Sequence, residues 1–116
     1  EEARLVRSVL AEAISGGLAV AGPEETAAAA GQGAVARLLV SDGLKLAGWR
    51  CRAGCLFGGG APPPSCPTCG GEVAPCDLPA RTAEAVLAAG GDVEVVHPPT
   101  PLDEVGGMAA QLRFLV

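Results

Sequence analysis

The sequence predicts an α/β fold, a sheet covered by helices in a three-layer α/β/α or a two-layer arrangement, interrupted by a cysteine-bearing segment. Helical and strand patterns alternate before residue 48 and resume after residue 77. The segment between them, 48–77, is rich in glycine and proline and carries all five cysteines of the chain. A length of 116 residues suits one domain with one hydrophobic core.

The part of the chain before the cysteine segment contains two predicted helices and two predicted strands. Apolar residues recur at helical spacing over 1–14, and glycines then end that helix. Pro23, followed by two glutamates, is typical of a helix start, because proline suits the first turn and carboxylates favour the positive end of the helix dipole. The predicted elements are a helix over 1–14, a strand over 18–21, a helix over 23–31 and a strand over 34–40.

The same alternation continues after the cysteine segment. Asp77 is the predicted N-cap of a helix that Gly90-Gly91 ends. A strand over 92–97 follows, and two prolines lead to a short helical segment over 102–105. The last apolar stretch runs over 108–116. If it is a strand, Leu112 and Phe114 share one face.

Four cysteines have the spacing of a zinc site. Two residues separate Cys66 from Cys69 and three separate Cys51 from Cys55, within the two to four residues usual between zinc-binding thiolates. Two disulfides, or thiols with no common role, are the alternatives. Cys76 is left over, and it either replaces one of the four as a ligand or is a small buried residue.

A site made of Cys51, Cys55, Cys66 and Cys69 predicts a structural role for the metal. Four thiolates fill the tetrahedral coordination of Zn²⁺ and leave no position for a water or a substrate. The ten residues between the pairs, 56–65, are mostly glycine and proline and form neither a helix nor an inner strand. We therefore expect structural zinc to hold this segment in place.

The charge and hydropathy of the chain exclude some classes of function. The formal net charge is −5, which opposes binding to phosphate backbones. Lys45, Arg50 and Arg52 lie beside the first cysteine pair and leave a small RNA contact open, although solvated side chains that partly neutralise the thiolate charge are the more common explanation of such a group. No apolar run reaches the length of a membrane span, and we expect a cytoplasmic protein. The chain opens at Glu1 directly into a helix, so we expect it to be a piece of a longer protein.

No pattern indicates a catalytic site, and we expect no enzymatic activity. His97 is the only histidine and lacks the neighbours of a general base. Asp103 and Glu104 are adjacent carboxylates, which are more common in solvated loops than in paired-carboxylate sites. Cys76 has no evident group to activate its thiol.

Three stretches of this sequence resemble one protein family. The tail Gly106-Gly107-Met108-Ala109-Ala110-Gln111-Leu112-Arg113-Phe114 is similar to the ending of the C-terminal domain of archaeal and eukaryotic class-one peptide chain release factors and their Pelota relatives. The stretches 33–41 and 90–96 resemble two strand regions of the same domain. Archaeal members also carry a cysteine-bearing insertion between these two places. The resemblance covers nearly the whole chain.

This resemblance implies a fold and a role. The fold is an α/β/α sandwich with a mixed sheet, shared with ribosomal proteins that bind RNA kink-turns, formed here by 1–47 and 78–116 and carrying 48–77 as an inserted zinc-binding minidomain. The role is translation termination or ribosome rescue, in which the domain docks a translational GTPase or the ribosome. Kink-turn RNA binding is the alternative. Peptide release itself is not implied, because Gly31-Gln32-Gly33 does not match the hydrolytic Gly-Gly-Gln loop of the family's middle domain.

Overall fold

The computed structural model describes residues 2–51, 55–57, 65–66 and 70–114. They form three α-helices, seven strands and one 3₁₀ helix. In chain order these are α1 (Glu2–Ile14), β1 (Ala19–Ala21), α2 (Pro23–Gly31), β2 (Val35–Ser41), β3 (Ala47–Cys51), β4 (Leu56–Phe57), β5 (Val73–Asp77), α3 (Leu78–Ala88), β6 (Asp92–Val96), the 3₁₀ helix (Pro101–Val105) and β7 (Met108–Leu112).

Four strands form the main sheet, in the order β1-β7-β2-β6. The pair β2 and β6 is parallel, whereas β7 is antiparallel to both β1 and β2. The sheet is therefore mixed, and the α/β class predicted from the sequence is confirmed. A register shift between Val35 and Arg37 marks an irregularity at the start of β2.

Helices contact both faces of the main sheet. Neighbouring residues of a strand point to opposite faces, and Leu38 and Leu39 of β2 are both fully buried. Leu38 packs in a cluster with residues of α2 and α3. Leu39 packs in a second cluster with residues of α1 and the 3₁₀ helix. The hydrophobic core thus consists of two layers separated by the sheet.

Small residues allow α2 to lie close to the sheet. Ala27 and Ala29 are completely buried, and Ala30 is nearly so. The strand beside them, β7, contributes the fully buried Ala110 to the same cluster as Ala29 and Ala30. Because alanine has no atoms beyond Cβ, backbones approach closely at these positions. The alanine tract is therefore part of the core.

The second sheet has three strands in the order β4-β3-β5, all from the cysteine segment and its borders. None of these three strands was predicted from the sequence; within 56–65 the structure has only the short edge strand β4 among the described residues. Leu56 at the start of β4 forms a third apolar cluster with Ala27 of α2 and Leu78 of α3. The second sheet therefore packs against helices of the main fold, and the division of the chain at residues 48 and 77 stays a prediction.

The other predicted elements lie within a few residues of the observed ones. The last strand is shorter than the apolar stretch 108–116, because β7 ends at Leu112. Beyond it, the Arg113 side chain donates a hydrogen bond to the carbonyl oxygen of Val35 at 3.1 Å. Among the described residues, none of the helices combines the length and apolar character that crossing a bilayer requires.

Candidate metal centre

Three of the predicted zinc ligands come together in the structure. Cys51 is the last residue of β3, Cys55 directly precedes β4, and Cys66 follows in the next described segment. Their Sγ atoms all lie within 4.8 Å of one another. The fourth predicted ligand, Cys69, lies outside the described residues.

Two hydrogen bonds link Cys51 at the end of β3 to Cys55 just before β4. The N–H of Cys51 donates to the carbonyl oxygen of Cys55 at 3.0 Å. The N–H of Cys55 donates in the other direction, to the Sγ of Cys51 at 3.3 Å. Three intervening residues therefore suffice to bring the two sulfurs close together.

Two backbone hydrogen bonds join Cys66 to the glycines that follow the second cysteine pair. Its N–H donates to the carbonyl oxygen of Gly71 at 2.8 Å, and its carbonyl oxygen accepts from the N–H of Gly70 at 2.7 Å. Gly70 has a φ of +75°, a conformation that glycine adopts readily because it lacks Cβ. The glycines after the second cysteine pair thus turn the chain back, as the sequence predicted.

Burial and mutual repulsion shape the electrostatics of the cluster. Cys51 and Cys66 are buried, with 3% and 2% of their surface exposed. The pKa of Cys55 is raised to about 12, chiefly by its side-chain hydrogen bond with Cys51, and further by burial and by Cys66. A thiolate at Cys55 is therefore unfavourable when no cation is near. A divalent ion among the sulfurs reverses this, because it stabilises the deprotonated form.

The donor set fits zinc. Zn–S bonds of ~2.3 Å in a tetrahedron place bound sulfurs about 3.8 Å apart, which agrees with three sulfurs within 4.8 Å of one another. Thiolates favour zinc over the hard cations Mg²⁺ and Ca²⁺, which prefer oxygen ligands. Cys51, Cys55 and Cys66 are thus able to hold a zinc ion, and Cys69 is the expected fourth ligand.

Cys76 does not belong to this group of described sulfurs. It lies in β5 opposite Gly48 of β3 and packs against the third apolar cluster. Burial raises the pKa of its thiol. Of the two roles open to Cys76 on sequence grounds, the structure favours that of a small, partly buried residue.

The described basic residues near the cysteines, Lys45 and Arg50, have different neighbours. Lys45 lies 3.8 Å from the carboxylate of Asp77 in an exposed ion pair. Arg50 faces Leu56 and Ala74 across the second sheet. Arg52 lies outside the described residues.

The adjacent carboxylates Asp103 and Glu104 do not make a paired site. One Asp103 oxygen accepts from the hydroxyl of Ser41 at 3.2 Å, and the other accepts from the N–H of Thr100 at 3.2 Å. Asp103 thus caps the 3₁₀ helix and ties it to the end of β2. His97 follows β6, next to Pro98.

Sequence reasoning missed the strands that carry the cysteines. Ala47–Cys51 contains Gly48 and Val73–Asp77 contains Pro75, and both residue types are depleted in strands. The two segments nevertheless pair residue by residue. Proline is tolerated on an edge strand, and β5 is an edge of the second sheet. Alternation of apolar residues around Trp49 and Cys51 was the available signal.

No family model matches this chain, and no curated protein matches it. Solved structures do. The C-terminal domain of a peptide chain release factor from Methanosarcina mazei superposes with a TM-score of 0.62 at 23% identity, covering 97% of this chain and 81% of that one.

The chain has the fold of a release-factor C-terminal domain. Archaeoglobus fulgidus Pelota is similar as well, with a TM-score of 0.62 at 22% identity over 99% of this chain. S. cerevisiae Dom34, a translation termination-like factor involved in RNA quality control and interacting with Hbs1, gives 0.57 at 18% identity over 97% of this chain. The match spans 30% of the Pelota chain and 27% of the Dom34 chain.

The release-factor-like tail has a structural explanation. Gly106 and Gly107 both have positive φ, +92° and +86°. A Cβ on Gly107 would lie 3.0 Å from the side chain of Leu44. The following residues, Met108 to Ala110, are completely buried in β7, between β1 and β2. The two glycines thus direct the chain into the middle of the sheet.

Proposed function

We propose that this chain is a non-catalytic interaction domain of a longer translation factor of the release-factor or Pelota type. The observation that supports this most is the fold likeness, which extends over 97% to 99% of this chain and includes its cysteine segment. The chain is somewhat shorter than the release-factor C-terminal domain, of which the match covers 81%, and much shorter than Pelota, of which it covers 30%. Any peptide-release or rescue chemistry then belongs to other domains of the parent protein.

The proposed partners are a translational GTPase and the ribosome. Dom34, which has this fold in 27% of its length, interacts with Hbs1. A termination or rescue factor works where ribosomes are, so the proposed location is the cytoplasm. The formal net charge of the chain, −5, favours direct contact with a protein surface over direct contact with bare RNA.

The proposed metal is one structural zinc ion, held by Cys51, Cys55, Cys66 and Cys69. When bound, it would neutralise the thiolates and join Cys51 and Cys55 to Cys66. Since β3 pairs with both β4 and β5, the ion would stabilise the open end of the second sheet. Its role would be to fix a surface for docking.

The test is binding of the full-length parent protein to defined partners. Purified ribosomes are sedimented with the parent, with and without a GTPase of the Hbs1 type loaded with a non-hydrolysable GTP analogue. We expect the parent to sediment with ribosomes, and a parent lacking residues 1–116 of this domain to lose its GTPase contact. A kink-turn RNA probe serves as the comparison. Binding to neither ribosome nor GTPase would contradict the proposal, whereas strongly salt-dependent binding of the RNA alone would favour the RNA-binding alternative.

A further inference from the structure

Strand β6 forms one edge of the main sheet. Its described neighbour is β2, on one side. It is five residues long, and most of it is exposed. An exposed edge strand presents backbone N–H and C=O groups to which another chain can bind.

One hydrogen bond shows which backbone N–H and C=O groups of β6 point away from β2. The N–H of Asp42 donates to the carbonyl oxygen of Val96 at 2.8 Å, and Ser41 is the register partner of Val96. In parallel strands, residues alternate between pointing their N–H and C=O toward one neighbour and toward the other. Asp92, Glu94 and Val96 therefore point toward β2, while Val93 and Val95 point away from it. Among the described residues, no hydrogen bond uses the outward groups of Val93 and Val95.

The two faces of this edge differ in chemistry. Val93 and Val95 lie on the face that carries α3, where they line a groove of about 260 Å³ together with Val40, Pro79 and Ala83. Val95 is 43% exposed although it is aliphatic. Asp92 and Glu94 are exposed on the opposite face, and neither forms an ion pair within the described part of the chain. The exposed side chains of β6 itself are thus aliphatic on one face and acidic on the other, and the groove also includes the exposed ion pair of Lys45 with Asp77.

We propose that the β6 edge, Asp92–Val96 with its groove, is a docking site for an extended segment of a partner protein in which aliphatic residues alternate with lysine or arginine. Such a segment adds a fifth strand to the sheet by bonding to the outward N–H and C=O groups of Val93 and Val95. Its aliphatic side chains enter the groove, and its basic side chains lie beside Asp92 and Glu94.

Charge selects this occupant over a second copy of the chain. Two β6 edges placed side by side bring the carboxylates of Asp92 and Glu94 close to their equivalents, and like charges opposite each other in a sheet repel. A basic segment is instead attracted to these carboxylates. The inference depends on the geometry of this edge and is independent of the proposed role in translation.

The test uses a capped peptide of about eight residues in which valine and lysine alternate, long enough to span one edge strand. The same peptide methylated on alternate backbone nitrogens, and a peptide of alternating valine and glutamate, are the controls. Binding to the full chain is measured by amide chemical shifts and calorimetry. We expect shifts centred on Val93 and Val95, and binding weakened about tenfold or more by either control. Equal binding of all three peptides would overturn the proposal.

Variants of the chain locate the contact. Val95→Pro removes an outward N–H and leaves the bonds to β2 in place, since proline is tolerated where the N–H faces outward. We expect it to abolish peptide binding, whereas Val95→Thr, which keeps the N–H and the branched shape, retains most of it. Asp92→Asn with Glu94→Gln should weaken binding and reduce its salt dependence.

A thermal melt checks that each variant is folded. The methylated peptide tests the same backbone hydrogen bonds as Val95→Pro without changing the protein. Binding that survives Val95→Pro in a folded protein would place the contact elsewhere. Self-association through β6 at rising protein concentration would show that the edge takes a second copy and would also overturn the proposal.

Discussion

The backbone N–H of Cys55 donates to the Sγ of Cys51 at 3.3 Å. The sulfur at the end of β3 therefore accepts a hydrogen bond from the chain that leads into β4. Such a bond stabilises negative charge on Cys51, while the pKa of Cys55 is raised to about 12, first by its hydrogen bond with Cys51. When no cation is present, deprotonation of one of these two thiols therefore disfavours deprotonation of the other.

Replacing single cysteines tests the metal centre. We expect purified protein to contain about one zinc ion per chain, and Cys51→Ser, Cys55→Ser or Cys66→Ser to lose most of it, because serine is a poor zinc ligand at neutral pH. Elemental analysis with protein quantification measures the ratio. Cys69→Ser is expected to behave in the same way on sequence grounds. Cys76→Ser is the matched control and should retain full zinc; loss of zinc in this variant alone would show that the ligand set is different.

Zinc affinity should fall as the pH falls. The pKa of Cys55 in the metal-free cluster is raised to about 12, with its hydrogen bond to Cys51 as the main cause, so its thiol holds a proton at neutral pH. Zinc binding must displace that proton. Each thiol that is protonated in the free protein makes the apparent affinity rise about tenfold per pH unit. Competition with a chromophoric chelator between about pH 6 and pH 8 measures this slope, and an affinity independent of pH would contradict the raised pKa.

Removal of zinc should loosen the second sheet before the main one. Cys51, Cys55 and Cys66 would lose their common ion, while Leu38 and Leu39 remain buried between the main sheet and its helices. Hydrogen exchange of the chelated protein should therefore accelerate at β3, β4 and β5 and change little in β2 and β7. Because Leu56 packs against α2 and α3, we also expect a lower melting temperature. Complete unfolding on chelation would show that the main fold depends on the metal.

Two buried threonines form a matched pair. Thr26 in α2 and Thr82 in α3 are both completely buried. The Thr82 hydroxyl donates to the carbonyl oxygen of Leu78 at 2.7 Å, whereas the Thr26 hydroxyl has no hydrogen-bond partner among the described residues. A buried hydroxyl without a partner is destabilising. Thr26→Val should raise the free energy of unfolding by about 1 kcal/mol, while Thr82→Val should leave it unchanged or lower it by a similar amount.

Denaturant unfolding monitored by circular dichroism measures both threonine variants. The difference between them is the informative quantity, since valine has the same shape and the same helix propensity cost at both positions. If Thr26→Val is the more destabilised of the two, the Thr26 hydroxyl has a partner in solution.

The sequence predicted those parts of the structure that depend on local patterns. Leu38 and Val40 lie on one face of β2 and alternate with residues on the other face, so the main strands were predictable. The cysteines of each pair are only a few residues apart, so the proximity of their sulfurs was predictable as well. The second sheet was not, because β3 pairs with β5 across a long excursion and is interrupted by Gly48, while β5 contains Pro75. The groove beside β6 was also unpredictable, since it requires β2, α3 and β6 to come together.

The turn between α3 and β6 provides the last prediction. A Cβ added to Gly91 would lie 2.7 Å from the carbonyl oxygen of Val35 and 2.8 Å from Cγ1 of Val86, and neither is the end of a flexible side chain. The N–H of Gly91 also donates to the carbonyl oxygen of Val86 at 2.8 Å, which fixes its position. Gly91→Ala should therefore lower the free energy of unfolding by about 1–3 kcal/mol, the usual range for overpacking. Gly17→Ala is the control, because the three atoms nearest to its Cβ all belong to the flexible side chain of Glu12. Equal stability of the two variants in urea would show that α3 and β2 are less closely packed than the distances at Gly91 require.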